Sequence, residues 1–549
     1  MLITVRKYVT TPESLTRTVH PSQLGWRLRI TILGAHQMQT PLTIGGHLTR
    51  ASVVYGDRVG IIDEPDAPGG GLGKVTYRRM QELARAQAAN LDERGIGSGE
   101  RVAVLSQNSG RLLTSFFGVS GYGRVLVPIN FRLLPEEVGY ILEHSGAQML
   151  LVDAELAETV AHLNVNQRVV MGTATDGEVY LEGRAPARWE DEDENATATI
   201  NYTSGTTARP KGVEMTHRNL WTNAAIFGWH TGLSDRDTYL HTLPMFHCNG
   251  WGMPYALAAM GVPQVVLRKV DGADILRRVD EQGVTFMCGA PAVVAMVLEA
   301  AATWDGPIPG HGTVRVVVAG APPPTRTIER VETELGWEMI QIYGLTETAP
   351  LLTINRSRPE WDGLTSGERA IKLSRAGVAA VGIDLRSDEH GEILARGNHI
   401  LKSYWEQPEI TEEALAGGWF HTGDGGTIDD NGYLTITDRK KDVIITGGEN
   451  VSSIEVENAL FSHPAVSEVC VLGVPHEKWG ETIKALVVLA PGQAASEDDL
   501  RAWCKERLAG FKCPTTVEFR DELARTATGK LQKFKLRAPY WEGQDRQVH

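Results

Sequence analysis

The sequence predicts an α/β fold: a large N-terminal domain of parallel-rich sheets covered by helices, followed by a small α+β C-terminal domain. Three observations predict it. From about Thr76 onward, helix-length segments alternate with short apolar runs, the pattern of strands buried on both faces. The 549 residues, 42% hydrophobic and 22% charged, suffice for two or more packed cores. Five consecutive charged residues at 438–442 (Asp, Arg, Lys, Lys, Asp) separate two apolar β-like runs and mark a linker.

The elements follow in order. Thr76 is placed to cap a helix whose apolar positions Met80, Leu83, Ala84, Ala88 and Leu91 recur at helical spacing. Apolar runs at 102–105, 125–129, 149–152 and 313–320 are short enough to be buried strands. The acidic segment 190–194 reads as a solvated turn before a strand that runs into Tyr202. Beyond the linker the pattern gives a helix around 454–461, strands near 466–472 and 483–489, and a helix opened by Ser496. Asp499 completes a capping-box-like start there, and Leu500, Trp503, Cys504 and Leu508 mark one face. The domains expected are therefore 38–437, a hinge at 438–442, and 443–549, with 1–37 set apart.

Charge and cysteine content exclude several classes. A formal net charge of −14 without a basic stripe disfavours nucleic acid and anionic membranes as partners. Five scattered cysteines, an odd number with no CxxC pair, suit a reducing compartment and a cytoplasmic setting better than a disulfide framework or thiolate-held metal. No apolar run approaches the ~20 residues that span a bilayer. Residues 1–37 carry Arg6, Lys7, Arg17, Arg27 and Arg29 against the one acid Glu13, which fits either a transit peptide or an extension upstream of a natural start at Met38.

The strongest local signal runs from Tyr202 to Gly212: Thr203, Ser204, Gly205, Thr206 and Thr207, then Ala208, Arg209, Pro210 and Lys211. Backbone N–H groups and hydroxyls in such a loop can wrap phosphate oxygens while the lysine adds positive charge. By composition alone it could equally be a surface turn. It is not GxxxxGK[ST], because Lys211 lies between Pro210 and Gly212, so a P-loop is disfavoured.

This loop resembles the signature of the adenylate-forming superfamily, which includes acyl-CoA synthetases, adenylation domains and luciferases. Four further blocks resemble the family's later motifs in order: 343–348 (Tyr-Gly-Leu-Thr-Glu-Thr), Gly423 with Asp424, Asp438 and Arg439 with Lys441, and 528–530 ending in Lys530. The resemblance spans about 38–537 and is strongest to bacterial fatty acyl-CoA ligases. It implies ATP, Mg²⁺ and coenzyme A as co-substrates and cofactor, a carboxylic acid as substrate, and a mobile C-terminal domain turning about Lys441.

By that resemblance Glu347, with Thr203, holds Mg²⁺ on the phosphates, a role suited to hard carboxylate and hydroxyl oxygens. Thr346 donates to the α-phosphate. Tyr343 and the turn Gly320, Ala321, Pro322 flank adenine. Asp424 and Arg439 reach the ribose or phosphate. Lys530 pairs with both the acid and the α-phosphate, where cations must offset repulsion between two anions. Gly447 and Gly448, before Glu449 and Asn450, leave room for the pantetheine arm of CoA.

The acid site is expected around 244–251, where by the same resemblance His247 matches a gate beside the carboxylate and Trp251 resembles a gating tryptophan. Small residues at 256–261 leave room for the tunnel of a medium- or long-chain fatty acid, or simply pack helix on sheet. Loading of a carrier protein, an aryl-CoA ligase, a luciferase-like oxygenase and a silent scaffold stand as alternatives, and a homo-oligomer is possible. A proline expected near Ala524 is missing, which predicts a looser turn before Lys530.

Overall fold

In the computed structural model, residues 39–189, 192–203, 210–439, 442–446, 449–476, 479–525 and 531–542 are described. The expected leader 1–37 and Met38 lie outside them. Among the described residues the strands form sheets of thirteen, seven and five.

The helical expectations are met where capping and periodicity agree. Tyr77–Glu93 is a helix whose N-cap Thr76 accepts the Arg79 N–H, and Met80, Leu83, Ala84, Ala88 and Leu91 are all buried. Arg101–Leu105, Val125–Ile129 and Met149–Asp153 pair in parallel at the centre of the seven-stranded sheet. That sheet continues in parallel to Thr197–Thr203, which then turns back antiparallel into Lys211–Thr216.

Parallel pairing also runs through the middle of the thirteen-stranded sheet, from Gln264–Val266 to Tyr239–His241, Phe286–Gly289, Arg315–Val318 and Glu338–Gly344. Beyond Glu338–Gly344 the sheet departs from the parallel-rich expectation. Leu351–Asn355, Gly377–Ala379, Tyr433–Arg439, Phe420–Ile428, Glu392–Gly397 and Ile383–Ser387 add antiparallel neighbours. A parallel neighbour needs a long crossover, and several of these strands are joined by connections too short to supply one.

The smaller domain packs the helices Ser453–Phe461 and Glu497–Lys505 on the antiparallel pair Val466–His476 and Gly480–Leu489. The Ser496–Asp499 capping box is present, and Leu500 and Cys504 are buried. Asp438 and Arg439 continue the Tyr433–Arg439 strand, so the first two of the five linker residues belong to the large sheet. From there the Asp438 carboxylate accepts the N–H of Ser453 at 2.8 Å, at the start of the first helix of the smaller domain.

One local expectation is corrected. The acidic segment is more than a solvated turn: Glu194 accepts the Leu42 N–H at 2.8 Å and pairs with Arg218 at 2.5 Å, while Glu192 accepts the Thr43 hydroxyl at 2.6 Å. A charge run costs little in water, but here two of its carboxylates meet the donors of an incoming strand of chain. The looser turn expected before Lys530 falls at 526–530, outside the described residues. Arg525 pairs with Leu531, and the Gln532 N–H donates to Ala524 O at 2.8 Å, an interaction made by the backbone without proline. All five cysteines are buried and none forms a disulfide among the described residues, and no helix among the described residues is long and apolar enough to cross a membrane.

Candidate active site

The nucleotide candidates gather at the carboxyl ends of parallel strands, where open α/β sheets bind ligands. Val318 is in register with Gln341 on the neighbouring parallel strand, so Gly320 and Tyr343 follow at adjacent strand ends. Gly320 takes φ +98, which glycine adopts without a Cβ clash, and leaves Ala321 and Pro322 exposed. Tyr343 is half-buried, and its hydroxyl donates to Asp424 Oδ2 at 2.8 Å. Asp424 is itself buried and lies opposite Arg439 in the antiparallel register. Tyr343, Asp424 and Arg439, widely separated in sequence, are thus neighbours.

The phosphate candidates come from the other large sheet. Thr203 and Lys211 face each other across the base of a hairpin, with the Thr203 hydroxyl donating to Lys211 O at 3.5 Å. Ser204, Gly205, Thr206 and Thr207 lie outside the described residues, as do Lys441, Gly447, Gly448 and Lys530. Thr346 and Glu347 sit in a short 3₁₀ turn closed by Thr348, whose hydroxyl accepts the Leu345 N–H at 3.0 Å and donates to Pro350 O at 2.6 Å. Thr346 is buried and Glu347 half-buried.

A residue unmarked by the sequence motifs joins these parts. Tyr404, 7% exposed, donates its hydroxyl to Glu347 Oε1 at 2.9 Å, while its ring lies 5.1 Å from the Lys211 ammonium. Burial first, and the neighbouring Glu347 carboxylate second, raise the Tyr404 pKa well above the ordinary phenol range, so the hydroxyl stays a donor. Among the described residues no cluster of three or more histidine, cysteine or acidic side chains could cage a metal. Glu347 and Thr203 still fit Mg²⁺, which arrives on phosphates with most of its shell as water and needs few protein oxygens.

The acid candidate His247 is half-buried and precedes an unusual turn. Cys248, Asn249, Gly250, Trp251 and Gly252 take φ of 46, 51, 58, 61 and 75, a left-handed turn in which three residues carry side chains. Each such residue costs roughly 1–2 kcal/mol. A buried polar net offsets this. Asn249 Nδ2 donates to Thr199 Oγ1 at 3.0 Å and to Asn201 Oδ1 at 3.1 Å, and Asn201 Nδ2 returns a bond to Asn249 Oδ1 at 3.1 Å.

Asn223 Nδ2 donates to Trp251 O, and Asn108 ties down the approach through Leu243 O at 2.8 Å and the Met245 N–H at 2.8 Å. Of these asparagines only Asn249 falls within the expected acid-site block, and buried asparagine has no sequence period by which the others could have been found. Trp251 is 5% exposed. The small residues Ala256 and Ala258 are buried in the helix Met253–Met260, which packs against the helices Gly45–Val54 and His217–Thr231. The neighbouring Tyr255 sets its ring edge-on to Phe116 and Phe117 at 5.7 and 5.8 Å. This segment packs helix on helix, where helix on sheet was expected.

The ordered motifs and their meeting across two sheets agree with the family comparison. The model of the AMP-binding enzyme matches residues 48–405, and that of the AMP-binding enzyme C-terminal domain matches 455–530. The chain belongs to the AMP-binding, adenylate-forming enzymes. Among similar members are the 4-hydroxybutyrate–CoA ligase 2 of Metallosphaera sedula, 35% identical over 91% of this chain and 94% of its own, and the 2-methylpropanoate–CoA ligase of Humulus lupulus, 36% identical over 91% and 95%. The solved o-succinylbenzoate CoA synthetase of Bacillus subtilis, in complex with its acyl-adenylate intermediate, superposes with a TM-score of 0.76 at 29% identity, covering 89% of this chain and 97% of that one. This adenylate-forming enzyme therefore shares both fold and family with proteins that match it over 89–91% of the chain.

Proposed function

We propose that the chain is an AMP-forming acid–CoA ligase acting on a compact aliphatic carboxylic acid. One observation supports the nucleotide chemistry above all: Lys211 and Glu347, attached to different sheets, both contact Tyr404, one over its ring and the other at its hydroxyl. A cation and a carboxylate held apart in this way suit polyphosphate with its metal. When bound, Mg²⁺ supplies charge neutralisation on the phosphates.

In the first half-reaction a carboxylate oxygen of the acid attacks the α-phosphorus, the bond to pyrophosphate breaks, and an acyl-adenylate forms. Thr346 and Lys530 hold and neutralise the anionic oxygens in this reading, and Asp424 holds the ribose. In the second, the sulfur of CoA attacks the acyl carbonyl, the proton of the thiol is lost, and AMP leaves. The domain 443–549 turns about Lys441 between the two steps, exposing the Gly447–Gly448 segment to the pantetheine arm. A cytoplasmic setting belongs to the same reading.

The preference for a compact acid departs from the fatty chain suggested by sequence. Its support is the buried Trp251 and the filled helix packing at Ala256 and Ala258, together with the four-carbon acids in the names of the two relatives. Acid-dependent exchange of ATP with pyrophosphate, and acyl-CoA read by mass, test the proposal across acetate, 2-methylpropanoate, 4-hydroxybutyrate, dodecanoate and benzoate. Exchange and thioester with the short acids are expected. Preference for dodecanoate or benzoate overturns the compact pocket, and adenylate transferred to a carrier protein but not to CoA overturns the ligase.

A further inference from the structure

The strap 401–405 is hydrogen-bonded by its backbone to both halves of the candidate phosphate site. Leu401 N–H donates to Glu347 O at 2.7 Å, Lys402 N–H to Glu214 O at 3.0 Å, and Trp405 N–H to Gly212 O at 2.7 Å. Tyr404 is in register with Val213, two positions beyond Lys211. Gly212 has no room for a side chain, since a Cβ there would lie 2.9 Å from Ile200 and 3.2 Å from the Trp405 Cβ. The indole N–H of Trp405 donates to His144 O at 3.1 Å and anchors the end of the strap. The place of Tyr404 is therefore set by main chain on both sides.

Its side chain carries two different contacts. The hydroxyl meets the Glu347 carboxylate at 2.9 Å, and the ring face meets the Lys211 ammonium at 5.1 Å. Opposite charges brought directly together would satisfy each other. An aromatic ring with a terminal donor attracts both and leaves each able to serve a phosphate or a cation.

We propose that Tyr404 is a positioning residue for the nucleotide site: its hydroxyl orients the Glu347 carboxylate toward the metal, and its ring holds the Lys211 ammonium toward the phosphates. This rests on the roles given to Glu347 and Lys211 in the proposed function. The two contacts are separable, because Tyr404→Phe removes the hydroxyl and keeps the ring, while Tyr404→Leu removes both.

The test is calorimetric binding of ATP to the full chain, without acid or CoA, over a Mg²⁺ titration and again without Mg²⁺. A hydrogen bond to a charged group contributes about 1.5–3 kcal/mol, or roughly ten-fold and upward. Tyr404→Phe should raise the Mg²⁺ concentration for half-maximal binding about ten-fold and leave metal-free ATP affinity unchanged. Tyr404→Leu should weaken both, with thermal unfolding to show that the variants are folded.

Glu347→Gln provides the reference. If it shifts the Mg²⁺ requirement and Tyr404→Phe does not, the positioning role is overturned while the metal assignment stands. If neither shifts it, the assignment of Glu347 to the metal fails, and the positioning role with it. If both shift it and the double variant goes no further than Glu347→Gln, the inference holds.

Discussion

The Tyr343 hydroxyl donates to the Asp424 carboxylate at 2.8 Å, joining the end of a parallel strand to an antiparallel one added much later in the chain. The bond orients a buried carboxylate, which holds the ribose in the proposed function. Asp424→Asn should keep the shape and lose the charge, raising the KM for ATP about ten- to a hundred-fold, as expected for hydrogen bonds to a charged group. Tyr343→Phe should cost only a few-fold. Steady-state kinetics with varied ATP checks the order of the two effects.

The left-handed turn at 248–252 depends on Asn249. Asn249→Ala removes its bonds to Thr199 and Asn201 and leaves their polar atoms buried, each unsatisfied group costing about 1–3 kcal/mol. The expected result is a loss of stability of a few kcal/mol with a rise in the KM for the acid at nearly unchanged KM for ATP. Urea unfolding and the two KM values measure it.

In the smaller domain, Lys533 Nζ lies 2.9 Å from Glu457 Oε1, with both side chains largely buried. Burial opposes the charge on Lys533, but Glu457 and then Asp438 outweigh it and raise its pKa. Glu457→Gln should therefore strand a buried ammonium and destabilise this domain by about 3–5 kcal/mol. Since Lys533 follows Lys530 by one short segment, adenylate formation should fall as the domain loosens. Limited proteolysis, compared with pyrophosphate exchange on the same sample, reads both.

Four histidines, His47, His217, His241 and His399, are buried, and burial is the leading cause that lowers the pKa of each to about 4. Between about pH 4 and the ordinary value of 6.5 the unfolded chain binds protons that the folded chain refuses. Stability contributed by these groups is complete above pH 6.5 and is lost as pH falls toward 4, with a slope of about 1.4 kcal/mol per pH unit for each histidine. His217 packs on Trp189 at 5.0 Å, and neither ring nitrogen has a hydrogen-bond partner among the described residues. His217→Leu should flatten the acid side of the stability profile by about one proton, as read from urea midpoints between pH 7 and 5.

Much of this is legible in the amino-acid sequence because it is local. Thr76 and Ser496 cap the helices they precede, and Asp499 reaches back to Ser496, because a side-chain oxygen must meet an N–H only three residues away. The apolar positions of Tyr77–Glu93 are buried because their period is that of the helix. The ordered motifs also singled out Lys211, Glu347, Tyr343 and Asp424; in the structure Lys211 and Glu347 both contact Tyr404, and Tyr343 meets Asp424.

What the tertiary structure decided is every relation that local periodicity does not encode. Tyr404 is an ordinary strand residue until the sheet register sets it between Lys211 and Glu347. Asn249 looks like a loop residue until Thr199 and Asn201 face it from a strand far away in the chain. Ala256 and Ala258 read equally as space or as packing on a sheet, and the fold lays two helices against the helix that carries them. The sequence by itself determined the family, the local elements and the chemical types at the site. Their distances followed only from long-range packing, because a hydrogen bond or a ring contact depends on where two backbones meet.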